Sequence, residues 1–453
     1  MATLNAGSGA DGNATVSANK NISTESLVGR GYGDMISYSC SSVGTNSCVA
    51  TVAPDGIVAG DEVLLINLQG TNSNYTNVGN YETFIVDNIN SNTITFTTDK
   101  TKYFGDGASD DTNIGTSDSN QRVMVQRVPQ YANLTIDNGY LLRANTWNGT
   151  KDGVLFIRGS GTVLVNGTIA MSERGFRGGI NTGNNQQYQG DSYPKDGALD
   201  VHTRNYGGGG AGDGFAGGGG GGYGTIGVTL SHPNHGQGGT TYGEQTLAKL
   251  FLGSGAGAGG AGGYQPALFG GYGAGLIAIF TTTLDVYGSI LCDGMDGDPA
   301  FNDWMGSGGG GSGGSILIHA GTIYTRSSTF TSIGGLGGLT TAPGWVSAGH
   351  GGDGGDGRIA IHYASLGDNL SAVDPVPYTD SGLQLPYSIS GTASEDSTIR
   401  IYDSSWGFIK SQAASAGSYQ ISNLPNPGPF FVIADPDGAA RNILGYKGVI
   451  PTQ

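Results

Sequence analysis

The sequence predicts an all-β fold, a glycine-rich β-solenoid flanked by two smaller β regions. Three observations lead to this prediction: 86 of the 453 residues are glycine, short apolar runs recur at near-constant spacing, and few residues are charged. Charged residues make up 12% of the chain, about half of the usual ~25%. Short strands with sharp glycine turns at a near-constant period are typical of a solenoid, in which each coil buries its apolar side chains against the next.

An internal repeat carries the solenoid prediction. Four related segments each open with glycine, one further residue and a short apolar strand: 152–179, 274–297, 313–338 and 356–363. The last three begin 39 and 43 residues apart, counted from Gly275 to Gly314 to Gly357. Stacked coils would bury either Val154, Phe156 and their equivalents or the residues that alternate with them, and the pattern leaves this phase open.

Composition divides the chain into four regions. Residues 1–130 are predicted to form an N-terminal β cap, in which β-branched runs alternate with Asn, Gly and Asp. Residues 131–365 form the glycine-rich solenoid, residues 366–385 a polar linker, and residues 386–453 a small C-terminal β sandwich. The apolar spacing in residues 244–252 predicts one short helix, ended by the glycine that follows.

The glycine tracts have two interpretations. A Gly/Ser-rich chain without packing is a flexible linker. Polyglycine II helices, with three residues per turn, are the alternative, because tracts without Cβ atoms can pack closely and satisfy each other's N–H and C=O groups. The tracts also contain regularly spaced aromatic residues, which a linker does not need. We therefore predict polyglycine II-like tracts that are braced on the solenoid.

Charge and hydropathy exclude two classes of partner. The net charge of −16 leaves no basic surface for nucleic acid. No apolar run approaches the ~20 residues of a membrane span. The N-terminus has neither the basic nor the apolar segment of a signal peptide. We expect that the chain is already mature or leaves its cell by another route, such as inside a virion.

The residues nominate no catalytic pair. Glycosidases need two carboxylates about 5–10 Å apart, but a chain with 36 acidic residues brings pairs together by chance. Short Asp-Gly spacings could wrap Ca²⁺ through carboxylate and carbonyl oxygens, whereas turn formation explains the same residues without a cation. These weak metal candidates are Asp293, Asp296, Asp298, Asp353 and Asp356. No other cofactor is predicted.

Aromatic residues in or beside the glycine tracts are candidates for contact with a receptor or glycan, because a flat ring offers a large contact area at a low entropy cost. These residues are Tyr223, Tyr264, Phe269, Tyr272, Trp304 and Trp345. Core filling is the alternative for all of them. Cys40 and Cys48 flank a turn-like stretch and form a candidate hairpin disulfide, with ordinary thiols as the alternative.

Several strings resemble those of the glycine-rich β-solenoid proteins of phage tails and bacterial surfaces. They are LFLGSGAGAGG, YGAGLIAIF, YGSILCDGMDG, GGGGSGGSILIHA and GGDGRIAIHY, and the order matches over roughly residues 60–365. The glycine composition is also similar to that of the receptor-binding tip adhesins of T-even-type phages. The C-terminal strings ISGTA, IRIYDSSWGFIK and FFVIADP are similar to the small transthyretin-like or carboxypeptidase-regulatory-like β sandwiches that end phage virion proteins.

The resemblance implies a phage virion structural protein, a tail fibre, spike or adhesin that contributes to host-surface attachment. Its partners would be other virion proteins and a host-surface glycan or protein. It would form a homo-oligomer, of which a trimer is one form. The alternatives are a secreted bacterial cell-surface adhesin or extracellular filament subunit, a capsid decoration protein, and a polysaccharide depolymerase. We expect a structural and binding protein rather than an enzyme, located in the virion tail or, for the bacterial alternative, at the cell surface.

Overall fold

The structure, a computed structural model, describes residues 3–182, 187–195, 202–231, 234–260, 268–301, 305–326, 328–340, 349–385, 387–393, 397–402, 408–414, 417–424, 430–436 and 444–449. The chain divides into two compact units, Ala6–Asp380 and the two chain ends, Met1–Asn5 with Ser381–Gln453. The described residues form strands, turns and irregular segments but no helix. Among them, accordingly, no helix is long and apolar enough to cross a membrane.

The larger unit contains twenty of the strands. In chain order they begin with β1 (Gly12–Val16), β2 (Lys20–Asn21), β3 (Ser37–Val43), β4 (Ser47–Ala50), β5 (Glu62–Thr71), β6 (Tyr81–Asn90), β7 (Thr93–Phe96), β8 (Arg122–Val128), β9 (Gln130–Ile136) and β10 (Leu141–Arg143). They continue with β11 (Val154–Val165), β12 (Thr168–Ala170), β13 (Pro194–Lys195), β14 (Leu276–Val286), β15 (Ser289–Leu291), β16 (Ser315–Tyr324), β17 (Thr329–Thr331), β18 (Arg358–Leu366), β19 (Val373–Asp374) and β20 (Tyr378–Asp380). The smaller unit contains β21 (Tyr387–Ala393), β22 (Ser397–Tyr402), β23 (Phe408–Ala414), β24 (Gly417–Leu424), β25 (Phe430–Pro436) and β26 (Leu444–Val449).

Two parallel sheets form the body of the larger unit. Seven strands, most of them long, form the long-strand sheet in the order β1-β9-β11-β14-β16-β18-β20, and six short strands stack in the order β19-β17-β15-β12-β10-β2. Each coil of the chain therefore adds one strand to each sheet, as in a β-solenoid. The register aligns the predicted repeats, since Val154 pairs with Leu276, Leu276 with Ser315, and Ser315 with Arg358. The stacking of the four repeat segments is thereby confirmed.

The long strands are buried on both faces, which resolves the phase that the sequence leaves open. Leu155, Ile277 and Ile316 belong to the core that the two parallel sheets share. Their neighbours Phe156 and Ala278 belong to a second core on the opposite face. The apolar runs are continuous rather than alternating for this reason, as is usual in parallel sheets that are covered on both sides.

A six-stranded antiparallel barrel covers part of that second face. Its strands follow the order β5-β6-β7-β4-β3-β8, and β8 pairs with β5 to close it. Apolar side chains such as Leu65, Phe96 and Val125 fill its interior. Leu64 and Ile66 alternate with the interior residues of β5 and belong to the core on the outer face of the solenoid. Alternate side chains of β5 therefore pack inside the barrel and against the long-strand sheet, and this packing joins the two.

The region boundaries differ from the predicted ones at both ends of the solenoid. β1 and β2 already belong to the parallel sheets, so the barrel is inserted after the first coil and does not precede it. Val16 and Ile22 explain this placement, because both are buried in the solenoid core. β19 and β20 continue the two sheets at the other end. The stacks therefore run through much of the predicted linker, residues 366–385.

The helix predicted for residues 244–252 is absent, and the chain there is irregular. Leu247 has a positive φ of 51°, a conformation that does not continue a right-handed helix. Leu247 and Leu250 belong to the core beneath the barrel, whereas Phe251 packs with Tyr242 in a separate cluster. The apolar residues of this segment therefore pack into two different cores and do not form one face of a helix.

The described glycine tracts pack against one another, and we call this part of the molecule the glycine array. In its central tract, residues 306–314, every third N–H group donates a hydrogen bond to the same neighbouring tract. The N–H groups of Gly306, Gly309 and Ser312 donate to the carbonyls of Gly260, Gly257 and Ser254, in that order. Those of Ser307, Gly310 and Gly313 donate to the carbonyls of Gly349, Gly352 and Gly355. Those of Gly308, Gly311 and Gly314 donate to the carbonyls of Asp298, Met295 and Cys292. The carbonyls of the same tract accept hydrogen bonds from Gly218, Gly221, Gly271, Ala274, Gly335 and Gly338, which lie in three further tracts. The central tract therefore has six neighbours, bonded through the backbone.

Glycine is required at interior positions of the array. At Gly257 a Cβ atom would overlap the carbonyl oxygen of Gly210, and at Gly309 it would overlap that of Gly219. The overlapping atoms belong to the backbone, so they cannot move aside as the end of a flexible side chain could. In these tracts the glycine density therefore reflects close packing, and the flexible-linker interpretation does not apply to them.

The smaller unit is antiparallel. It contains a four-stranded sheet, in the order β23-β22-β25-β26, and the pair β21-β24. β21, β22, β24, β25 and β26 overlap the strands predicted from the sequence. Thr3 forms an isolated bridge with Gln384, and the Leu4 N–H donates to the Gln384 carbonyl at 2.8 Å, so the start of the chain belongs to this unit. Its likeness to transthyretin-like domains stays a prediction.

Candidate functional site

The described ends of several glycine tracts lie together at one end of the array, which we call the tip. The Gly306 N–H donates to the Gly260 carbonyl at 2.7 Å, and the Gly260 N–H donates to the Ala216 carbonyl at 2.9 Å. The Ser307 N–H donates to the Gly349 carbonyl at 2.6 Å. The ends of four tracts therefore adjoin at this point. Three connections join tracts that end there: 261–267, 302–304 and 341–348.

The tip combines a buried apolar anchor with exposed apolar side chains. Leu268, Ala300 and Met305 form a small buried cluster. Beside it, Phe301 is 64% exposed and Leu339 is 61% exposed. Exposed apolar side chains that lie close together are typical of a contact site, whereas single ones are common on any protein surface. The described part of the tip therefore has the features of a binding surface.

The sequence-predicted contact aromatics fall into three groups. Phe269 is exposed, and Tyr272 is half-buried three residues further along the same tract. Tyr223 is fully buried, its hydroxyl lies 2.7 Å from that of Ser315, and burial raises its pKa. Because its ring packs against Tyr242, with 4.6 Å between the centroids, Tyr223 is a core residue and not the predicted surface contact. The other three lie outside the described residues: Tyr264, Trp304 and Trp345.

The aspartates that were candidates for Ca²⁺ accept hydrogen bonds from backbone N–H groups at the outer surface of the array. Asp293 accepts from the Ile333 N–H at 3.0 Å, and Asp296 from the Leu336 N–H at 2.7 Å. The same type of bond joins Asp353 to Gly337, Asp356 to Gly334, and Asp298 to Phe269. Each carboxylate occupies the place that a carbonyl of a further tract would have in the interior. The three-residue spacing of the aspartates thus follows the period of the tract that they cap.

This capping explains the Asp-Gly spacing without a cation. Burial raises the pKa of the Asp293 carboxyl, against the lowering effect of hydrogen bonds from the Ile333 N–H and the Thr331 hydroxyl. In the part of the chain that the structure describes, no three His, Cys, Asp or Glu side chains are grouped so as to hold a metal ion. At least one oxygen of each of these carboxylates accepts a hydrogen bond from a backbone N–H group, and Ca²⁺ binding by them stays a prediction.

Apolar side chains lie between the two rows of capping aspartates. Ile333, Leu336 and Leu339 follow each other at three-residue spacing, and all three are exposed. Their tract bonds to the Asp293 row on one side and to the Asp353 row on the other. A backbone whose hydrogen bonds repeat every three residues presents every third side chain on the same side. The apolar row therefore extends along the array and ends with Leu339 at the tip.

A column of charged and aromatic side chains crosses the outer face of the long-strand sheet and was not among the sequence predictions. The register aligns Arg158, Phe280, His319 and His362 on four successive strands. Ring centroids lie 4.8 Å apart for Phe280 and His319, and 4.3 Å apart for His319 and His362. His362 Nδ1 lies 3.4 Å from a carboxylate oxygen of Asp380. The strings LFIR, IAIF, ILIH and IAIH already place these four residues in one position of the repeat, which is the signal that could have found them.

The electrostatics of this column favour a structural role. Burial lowers the pKa of His319 to about 3, with smaller contributions from His362 and Arg158, so the ring is neutral at neutral pH. Arg158 forms a buried ion pair with Glu62 of the barrel at 2.7 Å. Flat side chains on successive strands, at the strand spacing of about 4.8 Å, stack on one another, so their edges are exposed rather than their faces. We therefore assign the column to packing between the long-strand sheet and the barrel.

The three cysteines are free and buried. Cys40 and Cys48 lie on β3 and β4 of the barrel, but Cys40 pairs with Ala50 and Cys48 with Val43. The two residues are therefore not directly opposite each other, and both thiols are free in this structure, so the hairpin disulfide stays a prediction. A hydrogen bond with Cys48, together with burial, raises the pKa of the Cys40 thiol and makes it a poor nucleophile.

Comparison with known proteins adds little to this description. No protein-family model matches the chain, and no characterised protein matches it in sequence. The tailspike protein of Pseudomonas phage LKA1 is 11% identical, over 86% of this chain and 78% of that chain, with a TM-score of 0.16. A tailspike of the Acinetobacter baumannii bacteriophage AP22, solved in complex with an A. baumannii capsular saccharide, is 9% identical over 80% and 68%, also with a TM-score of 0.16. Likeness at this level carries no argument about fold or function.

Proposed function

We propose that this chain is a tail protein of a phage virion, a fibre, spike or adhesin, and that it attaches to the host surface through the tip of its glycine array. The observation that carries the proposal is the meeting of several tract ends at one place. Exposed Phe301 and Leu339 lie there. Three predicted contact aromatics lie outside the described residues, in sequence stretches that follow tract ends meeting there: Tyr264, Trp304 and Trp345. Binding residues concentrated on loops that an ordered scaffold positions are the usual arrangement in recognition proteins.

We further propose that the packed tracts are polyglycine II helices. The return of N–H groups to the same neighbour every third residue in the tract 306–314 supports this, since such a helix has three residues per turn and no internal hydrogen bonds. Ordering each residue costs about 1–2 kcal/mol, which the shared backbone hydrogen bonds must offset. A scaffold ordered before binding leaves less entropy to be lost when the tip meets its receptor. The array would thereby serve attachment by holding the described tract ends at the tip in place.

The charge of the chain agrees with an apolar and aromatic contact. At a net charge of −16 the protein would be repelled by an anionic cell envelope over the ~8 Å of a physiological Debye length. Contacts made by exposed apolar side chains do not depend on opposite charge. The partners that we propose are a host-surface glycan or protein at the tip and other virion proteins elsewhere, with the chain forming a homo-oligomer.

The location of the protein is tested by peptide mass spectrometry on gradient-purified particles from the source culture. We expect the tryptic peptides VMVQR and NILGYK at stoichiometric level in the virion band. Abundance in the sheared cell-surface fraction, with absence from the virion band, would identify a bacterial adhesin or filament instead. Release of reducing ends from host polysaccharide by the purified chain would identify a depolymerase.

The role of the tip is tested by competition. An excess of the purified chain should block the adsorption of particles to host cells, because both occupy the same receptor. Replacing both Phe301 and Leu339 by Ser should abolish this competition. Ile226→Ser is the matched control, since Ile226 is 68% exposed but lies at the strand end of the array, where the Thr225 N–H donates to the Asp356 carbonyl at 3.1 Å. Equal competition by the tip variant and the control would refute the role of the tip.

A further inference from the structure

The turns that lead from the long-strand sheet to the short-strand sheet form a second feature of the surface, which we call the corner. Successive turns stack directly, since the Thr168 N–H donates to the Tyr140 carbonyl and the Ser289 N–H to the Gly167 carbonyl, both at 2.9 Å. A Cβ atom on Gly288 would overlap the carbonyl oxygen of Gly167, so these backbones lie in contact. The corner therefore has a flat stretch of glycine backbone within its column of turns.

Two exposed tyrosines border that stretch. Tyr140 ends one turn, and Tyr287 precedes Gly288 in the turn two strands away, with the turn that contains Gly167 between them. Two strand spacings separate them by about 10 Å. Tyr287 is 51% exposed, and Tyr140 is exposed as well. An exposed tyrosine ring offers an apolar face and a polar edge, which suits the CH-rich face and the hydroxyls of a sugar ring.

Arg326 is held in a single position beside Tyr287. Its guanidinium carbon lies 4.4 Å from the ring centroid of Tyr324 and 5.5 Å from that of Tyr287. Its Nε donates to Asp285 Oδ1 at 3.0 Å. With the residues that the structure describes, its two terminal nitrogens form no hydrogen bond. Three contacts thus orient a fork of donors whose N–H groups are available to a ligand.

An acceptor lies next to these donors. The Asp368 carboxylate is 3.9 Å from Arg326 Nε, and its side chain is 33% exposed. Its Oδ2 atom is buried, so a ligand can reach only the exposed part of the carboxylate, and within the described residues neither oxygen accepts a hydrogen bond. A fixed donor beside a free acceptor matches neighbouring hydroxyls of a sugar, since each hydroxyl both donates and accepts.

We propose that the corner binds a neutral glycan, with a sugar ring on Tyr287 and its hydroxyls on the terminal nitrogens of Arg326 and on the exposed part of the Asp368 carboxylate. Charge decides against an acidic sugar. One guanidinium stands beside two carboxylates, those of Asp285 and Asp368, in a chain whose net charge is −16. An added carboxylate or phosphate would meet net repulsion there. The site lies on the strand stacks and does not depend on the role proposed for the tip.

The test is binding of the labelled full-length chain to a printed panel of neutral hexose and N-acetylhexosamine oligosaccharides, with uronate-containing and phosphorylated oligosaccharides of equal length. We expect binding to neutral members only. Tyr287→Ala should weaken it at least about tenfold, as the loss of a central aromatic contact does. Arg326→Lys, which keeps the charge but not the fork, should also weaken it. Tyr32→Ala is the matched control, because Tyr32 is 49% exposed but lies elsewhere.

A stacked arginine that only stabilises the turn would give a different result. In that case Tyr287→Ala and Arg326→Lys would lower the melting temperature without changing glycan binding by the folded chain. Unchanged binding by Tyr287→Ala, a preference for acidic members, or no binding to the panel would each overturn the proposal. The variant lacking Phe301 and Leu339 should bind the panel normally, so failure at the tip and failure at the corner are distinguishable.

Discussion

The strand stacks and the glycine array belong to the same coils of the chain but are stabilised in different ways. In the stacks, an inner strand bonds with two neighbours, and side chains such as Ile279 and Leu284 fill the core between the sheets. In the array, the central tract 306–314 bonds with six neighbours, and Gly309 leaves no room for a side chain between them. Side-chain burial dominates in the first region and backbone hydrogen bonding in the second.

Because of this difference, we expect opposite kinds of substitution to lower the stability of the two regions. A strand core loses stability when a side chain is shortened, because a cavity remains. The array should lose stability when any side chain is added, because its tracts are already in backbone contact. Substitutions of each kind can therefore break or sharpen the comparison.

The largest effect is expected from one methyl group added inside the array. Gly257→Ala would bring Cβ against the Gly210 carbonyl oxygen and separate tracts that share hydrogen bonds. We expect a loss of at least about 3 kcal/mol, or failure to fold. Gly31→Ala is the control, since a Cβ there meets no atom within 4 Å. Thermal unfolding compares the two, and equal melting temperatures would show that the array is not close-packed.

A shortened core side chain should have the next largest effect. Ile279→Ala removes atoms from the fully buried core between the two parallel sheets, and such changes cost about 2–5 kcal/mol. Ile85→Ala on β6 is the control, because Ile85 is exposed. Urea unfolding measures both variants. If Ile279→Ala were more damaging than Gly257→Ala, the array would be the more tolerant region and the comparison would be reversed.

The two regions should also respond to pH in opposite directions. In the array, where the Gly255 N–H donates to the Asp191 carbonyl, burial raises the pKa of the Asp191 carboxyl to about 6 from an ordinary value of 3.8. Its contribution to stability is present below the ordinary value and is lost as the pH rises through about 6. In the strand stack, the pKa of His319 is lowered to about 3 from 6.5. That contribution is present above pH 6.5 and is lost as the pH falls towards about 3.

Unfolding free energies between pH 4 and pH 7 test this pair, with effects of roughly a few kcal/mol expected at most. The wild type should lose stability at Asp191 as the pH rises, and Asp191→Asn should not show this loss. The wild type should lose stability at His319 as the pH falls, and His319→Phe, which keeps a flat ring in the column, should not show this loss. A pH profile that neither variant changes would mean that both groups titrate at their ordinary values.

The smallest effect is expected at the capped surface of the array. Asp296→Ala leaves the Leu336 N–H without its side-chain acceptor and should cost about 1 kcal/mol, as the loss of a helix cap does. Asp99→Ala, at an exposed position of the barrel region, should change stability by less than about 0.5 kcal/mol. A rise in the melting temperature of the wild type on adding Ca²⁺, lost in Asp296→Ala, would show that the carboxylates hold a cation instead of capping the backbone.

Much of the fold could be predicted from local patterns. The strings LIAIF and SILIHA begin β14 and β16 in the structure, because short apolar runs bounded by glycine turns favour strands. Predictions about single residues were less successful. Tyr223 stands in a glycine tract like an exposed contact residue, yet it packs against Tyr242 in a core. Asp296 stands in a spacing that resembles a cation loop, yet it caps a tract that lies 40 residues further along the chain.

The sequence by itself determined the local patterns: a spacing of about 40 residues between the last three repeats, strands between glycine turns, and tracts in which no side chain interferes with backbone contact. These properties depend only on residues close together in the chain. Only the tertiary structure decided that the barrel follows the first coil, that both faces of the long strands are buried, and that the ends of distant tracts meet at the tip. The reason is physical: hydrogen bonds such as that from Gly306 to Gly260 join segments far apart in sequence, so no local pattern specifies them.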